Sequence, residues 1–457
     1  MSGTAQGASA ASGNLAEGET ETPSGSRIII RPVWMLRSSF TALVLAAVIL
    51  AAAGLLFARV DVALLALPLF VAAAINWSRR PGSQASGTVE VTVAPRPSGQ
   101  TLAYEMRVAT PEGTDAVAVR LTLLGGDSRE FVVTARAGER LTGSVPVLHS
   151  GPQPLVSAAV LLIGTDASLT SDPSESAAVS RVIPPPFAAI TSLPLPRRLA
   201  GLTGSRDSSR PGDGGDFRDV HPFAPGDRLR RIDWKATARR ARFDGDLYVR
   251  RTAATADATV IIVLDSRDEV GEQIAEWSRR TARDTGISSL DLSREAASSL
   301  AAGYIRAGDR VGVHDLSSEA RLVAPGGGTR HLERVLRQVE LTSPVGSPNI
   351  RFRAPIVPPG ALIYVLSTFL DGGSARLASL WRGGGHRVIG VDTLPTARFE
   401  RSNADERVAH RIVLMERADR LHELEAQGVE ILRWHDDGAE PREARLRALS
   451  RPPRSAR

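Results

Sequence analysis

Residues 258–264 read ATVIIVL, and Asp265 follows at once. A short unbroken run of aliphatic and β-branched residues is a strand buried on both faces, and such strands belong to parallel sheets covered by helices on each side. The carboxylate at its end then projects from the carboxyl edge of the sheet. The pattern recurs at 361–366 (ALIYVL), which reaches Asp371-Gly372-Gly373. Shorter strands are predicted over 310–316, 320–323, 387–391 and 429–434. Helices are predicted near 267–283, 291–306, 329–339, 374–381 and 408–427, with Gly308 placed to end the second. Strands alternating with helices define an α/β doubly wound domain, here spanning 252–440. In such sheets ligands sit outside the carboxyl ends of the strands, so Asp265 and Asp371 should share one edge. The Gly326-Gly327-Gly328 loop before Thr329 is expected to approach the same edge.

Upstream, residues 212–251 read GDGGDFRDVHPFAPGDRLRRIDWKATARRARFDGDLYVRR. Pro225-Gly226 is a turn, because proline presets the first central φ and glycine accepts a positive second one. Asp227 and Arg228 are expected to pair at its exit. Seven Lys/Arg against one acid, Asp233, fill 228–242, which makes that aspartate an ion-pair organiser. Phe217, Phe223, Ile232, Trp234 and Leu247 give the segment apolar positions to bury, so it should pack on the following domain. Its exposed arginines would then meet an acidic partner surface. A solvated charged face is the plainer alternative.

Residues 215–239, GDFRDVHPFAPGDRLRRIDWKATAR, resemble the signature of the bacterial domain of unknown function 58 family. Its pattern is an acid, Phe-Arg, an aromatic, Pro-Gly-Asp, Arg, Ile-Asp-Trp-Lys and a small-small-Arg ending. Asp216 stands where a glutamate is usual, and His221 near a position often aromatic. The resemblance extends over roughly residues 200–395 and marks Arg218, Pro225, Gly226, Asp227, Arg228, Arg231, Asp233, Trp234, Lys235 and Arg239 as signature and partner-binding residues. It implies a membrane-anchored protein with a von Willebrand factor type A-like domain, linked to MoxR-type AAA+ ATPases. Type A domains with a metal-ion-dependent adhesion site place Asp-x-Ser-x-Ser after the first strand, then a threonine and a later aspartate, hard oxygen ligands that suit Mg²⁺. The corresponding set here is Asp265, Thr329 and Asp371. However, Arg267 and Glu269 occupy the two serine positions, and an arginine there repels a cation or replaces it by pairing with Asp265. The alternative is that Asp265 and Asp371 only cap helices or satisfy nearby arginines.

The rest of the chain gives a mixed fold class. Residues 1–36 form a disordered cytoplasmic N-terminus, poor in apolar surface over its first 26 positions. Residues 37–80 hold two transmembrane helices, from the apolar runs 40–57 and 62–77. Arg27, Arg31 and Arg37 precede them and Arg79-Arg80 follow, so both termini are placed in the cytoplasm, in a multi-pass protein of the plasma membrane. A signal peptide and a single inverted span are the rival readings. Trp34 and Trp77 sit where interfacial anchors belong. Period-two runs such as Val89, Val91, Val93 and Val117, Val119, Leu121, separated by turns, give an all-β sandwich-like domain over 85–183. A linker, 184–211, opens on Pro184-Pro185-Pro186 and ends in a flexible loop. A basic tail, 441–457, closes the chain and is disordered from Ser450.

No cysteine occurs, which excludes disulfides, thiolate metal sites and cysteine nucleophiles. There is no HExxH or GxSxG, and no Gly-Lys-Ser/Thr follows the glycine run, so hydrolase and phosphate-loop signals are missing. His314 and His331 read as ordinary polar or partly buried residues. These readings describe a membrane-anchored adaptor without enzymatic activity of its own. The alternatives are an Mg²⁺-dependent hydrolase using Asp265 and Asp371, and a basic nucleic-acid binder using 228–242; no nucleic acid is the expected partner.

Overall fold

The computed structural model describes residues 24–78, 86–95, 101–123, 128–135, 140–147, 149–164, 169–174, 176–196, 206–243, 245–277, 286–317, 322–344, 354–435 and 441–451. They divide into two units, one of residues 1–147 and 154–180, the other of residues 148–153 and 181–457.

The first unit begins with β1 (Ser24–Ile30) and β2 (Trp34–Leu36), followed by the apolar helices α1 (Ser38–Leu56) and α2 (Val60–Ser78). Both helices are long and apolar enough to cross a membrane. Small residues line their contact: Ala47, Gly54, Ala66 and Ala73 are buried, while Leu45, Leu55, Leu56, Leu64, Leu65 and Leu67 are exposed. A Cβ on Gly54 would stand 2.5 Å from the Ala63 nitrogen, so only glycine admits this close approach. At the other end Phe40 stacks on Trp77.

After the helices come β3 (Gly87–Pro95), β4 (Thr101–Ala109), β5 (Thr114–Leu123), β6 (Ser128–Thr134), β7 (Arg140–Pro146), β8 (Gly151–Gly164), β9 (Leu169–Ser171) and β10 (Ala177–Ile183). One antiparallel sheet has the order β1-β3-β4-β7; the other runs β2-β9-β8-β5-β6, with β10 also on β8. Alternate residues Val89, Val91 and Val93, and Val117, Val119 and Leu121, are buried, as a period of two requires. Val108 and Leu141 of the first sheet and Val117 and Val133 of the second line one small apolar cavity, so the buried faces meet.

Residues 24–36 are therefore not a disordered leader. Ile28 and Ile30 pair opposite Val89 and Gly87 in the β1–β3 register, and Trp34 lies opposite Ser171 in a short strand. Two strands too short to show in hydropathy gain their stability from partners beyond the helical hairpin. Residues 1–23 lie outside the described ones.

The second unit contains β11 (Arg206–Pro222), α3 (Trp234–Arg240), β12 (Tyr248–Ala256), β13 (Thr259–Leu264), α4 (Ser289–Arg306), β14 (Arg310–Asp315), β15 (Leu322–Gly326), α5 (Thr329–Glu340), β16 (Leu362–Ser367), α6 (Gly372–Gly383), β17 (Arg387–Asp392), α7 (Ala404–Ala426), β18 (Glu430–Arg433) and α8 (Arg442–Ser450). Its sheet has the order β15-β14-β13-β16-β17-β18, parallel except for β15 at one edge. This is the doubly wound order in which the first strand lies centrally and the chain winds outward in both directions. Val260, Ile262 and Leu264 of β13 face a core shared with α4, α5 and α8; Ile261 and Val263 face the other, shared with α6 and α7. Each such side chain, withdrawn from water, contributes about 1.5–3 kcal/mol.

Three sequence expectations change here. The linker 184–211 is not free: Ala188, Ile190 and Leu193 pack on the first of these cores, Ala188 N bonds Ser299 Oγ at 2.9 Å, and Tyr304 Oη donates to the Pro194 carbonyl at 2.5 Å. Its last residues, from Arg206, already belong to β11. A helix over 267–283 is replaced by a single turn, Ile274–Glu276, because Val270 N and Gln273 are engaged by Ser289 and the Arg398 bridge; 278–285 lie outside the described residues. The basic tail folds as α8 through Ser450, with Leu446 and Leu449 buried and Arg442 stacked on Trp434.

Candidate functional site

Asp265 leaves β13 with its amide bonded to the Leu366 carbonyl, and Asp371 caps α6 by accepting from Gly373 N at 2.9 Å. Between them lies Arg267. Its Nε and Nη2 meet Asp265 Oδ1 and Oδ2, each at 2.7 Å, while Nη1 and Nη2 meet Asp371 Oδ2 and Oδ1 at 2.6 and 2.8 Å. One planar guanidinium thus forks onto both carboxylates, the bidentate geometry that arginine suits and lysine does not. Ser367, the last residue of β16, donates to Asp265 Oδ2 at 2.8 Å and pairs with Ser374 Oγ at the same distance. Phe369, two residues on, holds a left-handed φ of 53° with its ring fully buried, a cost that packing must offset.

Burial would raise the Asp371 carboxyl, but the bond and charge of Arg267 outweigh it and hold it below the usual carboxylate range. Burial likewise opposes the Arg267 charge, and the two aspartates more than restore it. All four carboxylate oxygens accept hydrogen bonds in this arrangement. A divalent cation would have to evict Arg267, so these residues do not fit an Mg²⁺ site as they stand. Among the described residues no group of three or more His, Asp or Glu could hold a metal ion.

Thr329 is not brought to this edge. β15 runs antiparallel, so Gly326 lies opposite Val311 at the start of β14, whereas Asp265 follows the residue paired with Asp315 at its end. Thr329 therefore opens α5 at the other edge of the sheet. Reading the glycine loop as an approach to Asp265 presumed a parallel strand.

Two further carboxylates end strands at the same edge as Asp265. Asp315 accepts from Ser266 Oγ and from Ser317 Oγ at 2.8 Å. Asp392 pairs with Arg417 of α7, whose Nε also bonds the Thr368 carbonyl at 2.7 Å, while Arg420 Nη1 bonds that of Phe369 at 2.6 Å. α7 is thereby pinned across the edge. Sequence reasoning missed these partners, since no local spacing ties Arg417 to Thr368. It also missed a buried cluster at the start of α4. There Asp291 accepts from Ser150 N and Oγ at 2.7 and 2.8 Å and meets His149 Nδ1 at 2.6 Å. Arg294 bonds the Ser150 and Thr342 carbonyls at 2.8 and 2.7 Å, and its guanidinium lies where a side chain on Gly151 (φ 85°) would be. Burial would lower His149, but Asp291 more than offsets it and holds the imidazole above its ordinary value.

The arginine-rich segment joins β11 to β12. Pro225-Gly226 forms the turn, with Gly226 at φ 101°. Asp227 accepts from Ala224 N at 2.9 Å and pairs with Arg251 at 3.6 Å, not with Arg228. Asp233 is the N-cap of α3, accepting from Ala236 N at 2.9 Å, so it organises a helix start and not an ion-pair array. Ile232 bridges Val249, and Thr237 Oγ1 receives Tyr248 N, which seats α3 on β12. Trp234 is 69% exposed instead of buried. Arg228, Lys235 and Arg239 are exposed, Arg231 is half-buried, and Arg218 contributes backbone to β11.

A doubly wound α/β unit with a central strand, an arginine-bridged pair of edge carboxylates and a Pro-Gly-Asp hairpin is the class these features define. Residues 219–398 match the model of a family described as "Protein of unknown function DUF58". The match runs from the end of β11 past β17, takes in Asp265, Arg267 and Asp371, and covers less than half of the chain. No curated protein matches the chain.

Proposed function

We propose that the chain is a membrane-tethered, cytoplasm-facing protein-interaction protein whose second unit is von Willebrand factor type A-like and works with a MoxR-type AAA+ ATPase. The central position of β13 and the placing of Asp265 directly after it support the type A-like reading. The tether is supported by β1 and β3: they pair although α1 and α2 lie between them, so a hairpin that crosses twice is the arrangement that returns β3 to the side of β1. Arginines on both flanks of the helices favour the cytoplasmic side.

The observation that carries the interaction role is the fork of Arg267 onto Asp265 and Asp371. It fixes the Asp371 carboxylate, whose side chain is 46% exposed, at the edge where such sheets bind ligands. Beside it α7 exposes Val408, Ile412 and Met415, spaced i, i+4, i+7 on one face. Hydrolysis assisted by Mg²⁺ at these carboxylates would first require Arg267 to leave.

Affinity capture of the full chain from solubilised membranes tests the reading. The wild-type chain should bring down an AAA+ ATPase, and the Ile412→Glu, Met415→Glu double variant should lose it. The same proteins captured by both chains would contradict it.

A further inference from the structure

The segment between β11 and β12 exposes large apolar side chains among cations. Leu229 and Trp234 are each 69% exposed and Phe243 is 77% exposed. Arg228, Arg230, Lys235, Arg239, Arg240 and Arg242 are exposed around them. Asp233, the one acid in 228–243, is occupied in capping α3, and the neighbouring Asp246 is turned back on Arg242 N and Phe243 N at 3.0 and 3.1 Å. Thr237 fixes which side of α3 faces β12. At 100° per residue, Lys235 and Arg239 then share the opposite, outward side, while Trp234 is the first residue of the helix and projects from its start.

Isolated exposed apolar residues are ordinary, but tryptophan, phenylalanine and leucine ringed by Lys and Arg match one surface in particular. That surface is a bilayer of anionic phospholipid. Its headgroup layer takes amphipathic rings, and its negative charge attracts polybasic segments. An acidic protein groove would satisfy the cations. It would not call for three projecting apolar side chains. The helices α1 and α2 add a second argument, because a chain already held in a membrane meets its surface at high effective concentration, so a patch of modest affinity suffices.

We infer that residues 228–243 form a secondary membrane-docking patch, in which Leu229, Trp234 and Phe243 enter the headgroup region of an anionic leaflet and the surrounding Arg and Lys side chains contact lipid phosphates. The inference rests on the preceding reading only in taking α1 and α2 as membrane-embedded.

The absence of cysteine allows a direct test on the full chain. Phe243→Cys carries an environment-sensitive fluorophore, and Ile356→Cys, at a position 96% exposed and outside residues 228–243, serves as reference. Both are reconstituted in vesicles of phosphatidylcholine, with or without roughly 30 per cent phosphatidylglycerol, and with spin-labelled lipid as quencher. In anionic vesicles the probe at 243 should be quenched about twofold more than that at 356, and the difference should vanish in neutral vesicles, in high salt, or with Arg239→Glu and Arg240→Glu added. Equal quenching at both positions in anionic vesicles would overturn the inference, as would quenching at 243 that ignores lipid charge and salt. A probe at 243 that is shielded only when another protein is added would assign the patch to that protein instead. Failure of the underlying tether is read separately, as extraction of the chain from the vesicles by alkaline carbonate.

Discussion

Arg267 holds two carboxylates by four hydrogen bonds, so its removal leaves Asp265 nearly buried with no counter-charge. Breaking such a pair costs about 3 kcal/mol, the low end of the range because the Asp371 side chain is 46% exposed. Arg267→Ala should therefore lower Tm, and added Mg²⁺ should raise it again in the variant but not in the wild type, read by thermal denaturation. His314 supplies a pH dependence. Burial pushes its imidazole down to about 4, and among the described residues Nδ1 has no partner. The unfolded chain binds that proton below about pH 6.5 and the folded one only below about 4, so stability is lost as the pH is lowered from about 6.5 to about 4, by on the order of 3 kcal/mol. His314→Leu should flatten that slope. His149 works in the opposite sense, since its raised value gives stability below the ordinary histidine range that is lost as pH rises through the folded value. His149→Gln should remove that decline.

At the scale of elements, α3 is short and depends on its start. Asp233→Ala should destabilise it by about 1 kcal/mol, the usual worth of an N-cap. Leu446→Ala in α8 should cost about 2–5 kcal/mol, since its side chain is buried in the main core. Equilibrium unfolding in detergent measures both. These two elements also show where sequence reading succeeds and stops. The central strands β13 and β16 were legible because a parallel strand covered on both faces leaves an unbroken apolar run, and β3 and β5 because a half-buried strand alternates. α8 was not legible, because its two buried leucines stand among arginines and its stability comes from Trp434 and the Ile431 carbonyl. β1 was not legible either, since its partner lies across two helices. At the site, Asp265 and Asp371 could be placed on one edge from strand ends alone, and an arginine two residues after Asp265 could be seen to replace a cation. The position of Thr329 could not be read, because nothing in a short strand's composition tells its direction.

For the molecule as a whole, β1 and β3 pair although the apolar hairpin lies between them. If both helices cross a membrane, the turn at Ala58 lies on the far side and everything from Gly87 onward on the near side. The most direct measurement is labelling of single cysteines in intact cells with a membrane-impermeant maleimide. Ala58→Cys should react from outside, while Ile356→Cys should react only after the membrane is permeabilised. Labelling of Ile356→Cys in intact cells, with Ala58→Cys protected, would contradict the account.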